Sequence, residues 1–254
     1  MTDRINYWDY IKLDELHRLQ SNIQTDKYDE VMFIAIHQHF ELWFFQIIRN
    51  LDEVIRRLQA SPPEVVSATA LMNRVNQEFI CATQGFEVMK TLSRESFLSF
   101  RDALRGASGL QSAQLTIIEL LTGRHGDEMY HELVSGSGMQ DFLAKYRGPD
   151  GILTRIAQER LGKGTLRTAY DHVASFPDVQ PEDLEPLKVQ IARFDEQLFG
   201  WRKLHYEAAA TVLGPEFTST SGTVGNQHSC SENLKTGMEH TRRYFDDLAH
   251  SAKS

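Results

Sequence analysis

The chain has 254 residues, of which 41% are hydrophobic and 24% charged, and its formal net charge is −8. This composition is typical of a globular protein, and the acidic balance argues against a nucleic-acid partner and gives no support for binding to anionic membranes. The sequence shows no apolar signal segment, no run near the roughly 18 apolar residues of a membrane span and only two distant cysteines, so we expect a cytoplasmic protein without disulfides.

Apolar residues recur at the helical period along most of the chain. The pattern predicts helices near residues 10–21, 28–60, 64–91, 94–105, 110–122, 126–134, 139–145, 151–161, 181–213 and 231–250. Ser93 and Pro181 are typical helix-start residues, and no alternating run of strand length is present. We therefore expect an all-α fold, a single-domain helical bundle over 1–254 with a small helical excursion around 125–175.

The first candidate functional residue, His37, lies on an apolar helix face. Its companions at spacings of three and four are Phe33, Phe40, Phe44, Ile47 and Leu51. An imidazole on such a face needs a polar partner. A core histidine bonded to a backbone carbonyl is the ordinary explanation, and spacing alone does not separate it from a ligand.

The same arrangement recurs late in the chain around His205. Its face is formed with Phe194, Leu198, Trp201, Ala209 and Val212. Two histidines on two apolar helices could enclose something flat, apolar and metal-bearing, and haem fits that description because its iron takes a neutral imidazole. The sequence contains no HExxH zinc motif and no CxxCH motif for covalent haem attachment.

The segment from Thr218 to Asn226 is a run of small and polar residues that follows the His205 helix. It is either an ordinary surface loop or a lid whose hydroxyl and N–H groups bind the charged end of a substrate.

Four segments carry a family resemblance. In chain order they are Tyr7–Leu16, Tyr28–Phe33 followed by His37-Gln38 and Glu41–Phe44, Phe100–Leu104 running on to Ala107–Ser112 and Gln114, and Trp201–His205. Together they resemble the tryptophan 2,3-dioxygenase superfamily of haem-dependent aromatic oxygenases, in the order in which that family has them.

The resemblance implies an all-helical protein that binds haem b, with His205 as the ligand of the iron. It implies that Trp201 contacts the haem on the side of His205. It also places Ser108 and Gly109 near the opposite face of the haem, although a turn or a helix cap is the ordinary role of such residues.

For the substrate, the resemblance implies that His37 stands near the indole N–H and acts as the catalytic residue. Phe33 would pack on the indole ring, and Arg101 would bind the carboxylate through a bidentate pair. In the lid, Ser219 and Thr220 would bind the substrate's ammonium group.

The N-terminal segment, residues 1–20, is implied to contact a neighbouring subunit. Tyr7, Tyr10 and Ile11 would complete the neighbour's pocket in a homo-oligomer, a tetramer or a dimer. Helix packing within one subunit is the alternative.

The chain departs from the family pattern near the substrate. Phe97 stands where the dioxygenases carry a tyrosine near the carboxylate, Leu110 replaces a phenylalanine, and Leu115-Thr116 replaces an aromatic–arginine pair. The lid segment also differs in the order of its glycines and hydroxyl residues. These changes suggest an altered substrate or product.

Two enzyme functions are therefore weighed nearly equally. The first is use of O2 to oxidise the indole C2–C3 bond of L-tryptophan or a substituted tryptophan, giving N-formylkynurenine. The second is insertion of one oxygen atom into a tryptophan derivative in secondary metabolism, giving an oxindole-type product. A haem-binding protein or sensor without catalysis is a remote third possibility.

Overall fold

The computed structural model describes residues 5–20, 27–104, 112–123 and 164–214, together with Lys235 and Phe245. The helices expected at 126–134, 139–145 and 151–161, and most of the one expected at 231–250, lie outside the described residues. So do Ser108, Gly109, Leu110, Ser219, Thr220 and the rest of the predicted lid.

The described residues form helices and contain no strand, which confirms the all-α prediction. In chain order the helices are α1 (Tyr7–Tyr10), α2 (Leu13–Arg18), α3 (Tyr28–Leu58), α4 (Val65–Thr83), α5 (Gly85–Met89), α6 (Arg94–Phe100), a 3-10 turn (Arg101–Leu104), α7 (Ala113–Thr122), α8 (Leu166–Ala174) and α9 (Pro181–Leu213).

Both predicted helix starts are confirmed. The Ser93 side chain accepts a hydrogen bond from the backbone N–H of Ser96 and so caps α6. Pro181 occupies the first turn of α9, where its missing N–H costs nothing because that group would have no partner within the helix.

The predicted helices differ from the structure at several places. The first helical stretch begins earlier, at Tyr7, and is interrupted at Lys12, whose φ of 58° is left-handed. The stretch 64–91 divides into α4 and α5 near Gln84. Helix α8 was not among the predicted helices; a capping box between Thr165 and Thr168 starts it.

The core lies where α3, α4 and α9 pack along one another, with α7 and α8 packed against α3. The ring-bearing side chains that are fully buried are Phe44, Phe79, Phe86, Phe100, Phe194 and Phe245. Among the described helices, α3 alone is long and apolar enough to span a membrane. It has ten buried side chains, and the apolar ones belong to the core that it forms with its neighbours, as expected of a core helix.

Candidate active site

His37 lies within α3 and is partly buried. Its Nδ1 is 2.7 Å from the carbonyl oxygen of Phe33, one turn earlier. A carbonyl oxygen only accepts, so Nδ1 carries the proton and the neutral ring keeps Nε2 as an acceptor. This bond is the core-histidine arrangement that the sequence left open, but it uses only one of the two ring nitrogens.

The charge state of His37 favours that acceptor role. Burial lowers the pKa of His37, while the hydrogen bond to the Phe33 carbonyl and the negative charge of Glu41 act against this lowering. The net direction is downward, so the neutral imidazole is favoured near neutral pH. A neutral Nε2 can accept a hydrogen bond from an N–H group of a bound molecule.

An aromatic cluster lies beside His37. The Phe33 ring is 4.2 Å from the imidazole, and it also contacts Phe97 at 5.7 Å and Phe100 at 5.6 Å between centroids. Phe97 and Phe100 meet edge to face at 5.4 Å. These spacings are those of stabilising aromatic pairs, and the partly buried Phe33 is the ring of this cluster best placed to meet a further aromatic group.

Arg101 follows directly on this cluster. Helix α6 ends at Phe100, and Arg101, the next residue, opens the 3-10 turn that follows. Arg101 is partly buried. Its binding of a substrate carboxylate stays a prediction.

His205 lies on α9 against two large rings. The imidazole is stacked on Phe86, with 5.9 Å between centroids and 24° between planes, and it is 5.1 Å from the ring of Trp201. The pKa of His205 is lowered to about 3, mainly by burial, with the electrostatic interactions with His37 and Arg202 acting in the same direction. His205 is therefore neutral at physiological pH, which is the form that binds a metal.

The two histidines share one aromatic wall. The Phe40 ring is 6.0 Å from His37, 4.7 Å from Phe86 and 5.7 Å from Trp201. Phe86 and Trp201 in turn contact His205. These ring contacts link the two helix faces through the core, and a common ligand space between the two histidines stays a prediction.

The close approach of α3 and α5 depends on a glycine. A Cβ atom at Gly85 would lie 2.7 Å from Cε1 of Phe40 and 3.2 Å from Cδ2 of His39. No side chain fits there unless the Phe40 ring moves. Gly85 therefore allows Phe86 to reach both Phe40 and His205.

The described residues fit a haem at this place. The Nδ1 of His205 and the Nε1 of Trp201 are buried without a hydrogen-bond partner among the described residues. Most buried polar atoms in native proteins have such a partner. No group of three or more His, Cys, Asp or Glu side chains in the described part of the chain is arranged to hold a metal ion. A single neutral imidazole among aromatic rings suits a macrocycle that brings its own equatorial ligands.

Tyr7, Tyr10 and Ile11 lie apart from this cluster. They are on or directly after the short helix α1 and are 70%, 74% and 37% exposed. In the part of the chain that the structure describes, packing within the subunit, which was the alternative for these residues, leaves them exposed.

Two buried polar links near the histidines were not predicted as site features. Gln114 donates to the backbone carbonyl oxygen of Glu41 at 3.0 Å and to its carboxylate at 2.7 Å. Glu119 forms an ion pair with Arg202. A signal for the second was present, because Glu119 is the only charged residue in an otherwise apolar run from Ile117 to Leu121 and such a residue needs a partner.

Comparisons with known proteins agree with these features. The sequence profile described as "Tryptophan 2,3-dioxygenase" matches residues 2–145. The tryptophan 2,3-dioxygenase of Herpetosiphon aurantiacus is 36% identical over 247 residues, which are 91% of this chain and 94% of the relative. The tryptophan 2,3-dioxygenase of Sorangium cellulosum and the tryptophan 2,3-dioxygenase 2 of Ralstonia nicotianae are 38% and 36% identical over 65% and 68% of this chain. The matched regions cover only 41% and 49% of those two proteins.

Proposed function

This chain belongs to the tryptophan 2,3-dioxygenase family, and on that premise we propose that it is a haem-dependent oxygenase that acts on the indole ring of L-tryptophan. The proposed reaction uses O2 to oxidise the C2–C3 bond and gives N-formylkynurenine. The observation that carries the proposal is the pair His37 and His205, which meet one aromatic wall from two helices.

In this proposal His205 holds haem b. Its low pKa keeps the imidazole neutral, and Phe86 and Trp201 orient the ring by direct contact. Ser108 and Gly109, outside the described residues, would lie near the other face of the haem. When bound, the haem supplies the iron at which O2 is activated, while the protein supplies orientation and exclusion of water.

The described side chains can orient tryptophan. The Nε2 atom of His37 would accept a hydrogen bond from the indole N–H, because Nδ1 is already committed to the Phe33 carbonyl. The Phe33 ring would pack on the indole, and Arg101 would bind the carboxylate through two N–H groups. The ammonium group would be bound by Ser219 and Thr220 of the predicted lid.

We further propose one helical domain over 1–254 that assembles as a homo-oligomer, a tetramer or a dimer, in the cytoplasm, without a nucleic-acid or membrane partner. The exposed side chains of Tyr7, Tyr10 and Ile11 support contact between the 1–20 segment and a neighbouring subunit. In that assembly the three residues would complete the neighbour's substrate pocket.

A second candidate function is mono-oxygenation of tryptophan or a substituted tryptophan, and Phe97 favours it. Its ring is buried against Phe33 and Phe100 and carries no hydroxyl group at a place where the family pattern has a tyrosine. Fewer hydrogen bonds to the carboxylate would leave the indole less strictly positioned, which suits a different substrate or product.

A single-turnover experiment with isotope-labelled oxygen separates the two functions. The haem-loaded protein is reduced, mixed anaerobically with L-tryptophan and exposed to 18O2, and the products are read by mass spectrometry. Two labelled atoms in a ring-opened product establish the dioxygenase. One labelled atom in a ring-intact product contradicts it. A requirement for peroxide or reductant in every turnover, measured in a separate multiple-turnover assay, contradicts it as well.

A further inference from the structure

A buried ion pair ties α7 to the helix that carries His205. The Glu119 carboxylate accepts a hydrogen bond from a terminal nitrogen of Arg202, and the two side chains are only 7% and 13% exposed. Solvent and salt screen such a pair weakly. Its two charges therefore act on their surroundings more strongly than the charges of a surface pair.

Arg202 lies three residues before His205, so the two side chains belong to neighbouring positions on one side of α9. Residues three apart on a helix have Cβ atoms about 5–6 Å from each other, so the side chain that carries the positive charge of Arg202 starts one helical turn from the imidazole. The Nε atom of the Arg202 guanidinium is buried without a hydrogen-bond partner among the described residues. Within the same residues, the negative charge that Arg202 contacts is the carboxylate of Glu119.

We propose that Glu119 is a positioning residue that fixes Arg202 beside His205 and balances its charge, and that this pair thereby sets the reduction potential of the haem iron held by His205. The inference rests on the proposed function, because it concerns the group that His205 would bind.

The expected direction follows from charge alone. The ferric form of the iron carries one more positive charge than the ferrous form, so an unbalanced cation nearby penalises the ferric form. Removal of the Glu119 charge leaves Arg202 unbalanced and raises the reduction potential. Removal of the Arg202 charge takes a cation away from the neighbourhood of the iron and lowers the reduction potential.

Spectroelectrochemical titration of the full-length haem-loaded protein tests this. The variants are Glu119→Gln, which keeps the side-chain size, Arg202→Met and the conservative Glu119→Asp. Glu185→Gln is the matched control, because it breaks the Lys188–Glu185 pair, also on α9, about 30 Å along the helix from His205.

We expect an upward shift for Glu119→Gln, a downward shift for Arg202→Met, and potentials close to that of the parent protein for Glu119→Asp and Glu185→Gln. Equal potentials in all five proteins would overturn the proposal. Loss of the helical circular dichroism in haem-free Glu119→Gln and Arg202→Met would also overturn it, because the ion pair would then serve only to stabilise the fold. Failure of the unaltered protein to bind haem would instead overturn the proposed function.

Discussion

The imidazole of His205 is stacked on the ring of Phe86, with 5.9 Å between centroids and 24° between planes. The short helix α5 therefore sets the orientation of the histidine on α9. Phe86 also contacts Phe40, on the helix of His37, with 4.7 Å between ring centroids. A change in the position of α5 would therefore displace side chains next to both His37 and His205.

Gly85→Ala should disturb this arrangement. The new Cβ would lie 2.7 Å from Cε1 of Phe40, so that ring must move, and overpacking of this kind costs about 1–3 kcal/mol. We expect a lower free energy of unfolding in urea and weaker haem binding. Gly200→Ala is the control, because a Cβ there meets nothing within 4 Å, and alanine in a helix should stabilise by about 0.5–1 kcal/mol. Similar stabilities for the two variants would show that α5 can shift freely.

Arg101→Ala should weaken recognition of the substrate carboxylate. Loss of a charge-assisted pair worth about 1.5–3 kcal/mol corresponds to a fall in kcat/KM of about 10- to 100-fold with L-tryptophan. Tryptamine, which has no carboxylate, serves as the matched substrate, and its kcat/KM should not change. An equal loss with both substrates would place Arg101 in structural support of the site.

Phe97→Tyr tests whether the missing hydroxyl matters. If the Phe97 ring edge reaches the substrate carboxylate, a restored hydrogen bond of about 0.5–1.5 kcal/mol should lower KM for L-tryptophan by about two- to twelve-fold. Phe100→Tyr is the control, since Phe100 is fully buried and a hydroxyl group there should only lower stability. A KM that is unchanged in Phe97→Tyr, with stability retained, would remove Phe97 from the substrate site.

The haem-free protein should lose stability on mild acidification. The folded pKa of His205, about 3, lies below its unfolded value of 6.5, so between these values the unfolded chain binds more protons. The stabilisation is complete above pH 6.5 and is lost as the pH falls toward 3, by at most about 1.4 kcal/mol per pH unit for this residue. Urea unfolding between pH 4 and pH 8 measures it.

His205→Gln should flatten this dependence, although His37, whose pKa is also lowered, keeps part of it. His172→Gln, at an exposed position on α8, should leave it unchanged. A pH profile that is the same for His205→Gln and for the parent protein would mean that His205 is solvated in the haem-free fold.

Much of this arrangement was predictable from the sequence. The period of apolar residues predicted α3 and α9 and placed His37 and His205 on their buried faces, because a helix of about 30 residues repeats its period many times. The family resemblance identified Phe33, Phe97 and Arg101. In the structure the Phe97 ring of α6 packs on the Phe33 ring of α3, and Arg101 opens the turn that follows α6.

Contacts between distant segments were not predictable in the same way. The stacking of Phe86 on His205 joins residues far apart in the sequence, and periodicity says nothing about which buried rings meet. The Glu119–Arg202 pair is similar: the lone acidic residue in an apolar run signals a partner but does not say which one. The role of Gly85 depends on a close approach that only the packed structure shows.

The most direct test of the account is haem binding by His205→Ala, measured by absorption titration of the haem-free protein beside the parent protein and His172→Ala. The account predicts one haem per chain for the parent and for His172→Ala, and loss of stoichiometric haem in His205→Ala with the helical circular dichroism retained. Full haem occupancy in His205→Ala would contradict it and would make another residue, such as His37, the ligand of the iron.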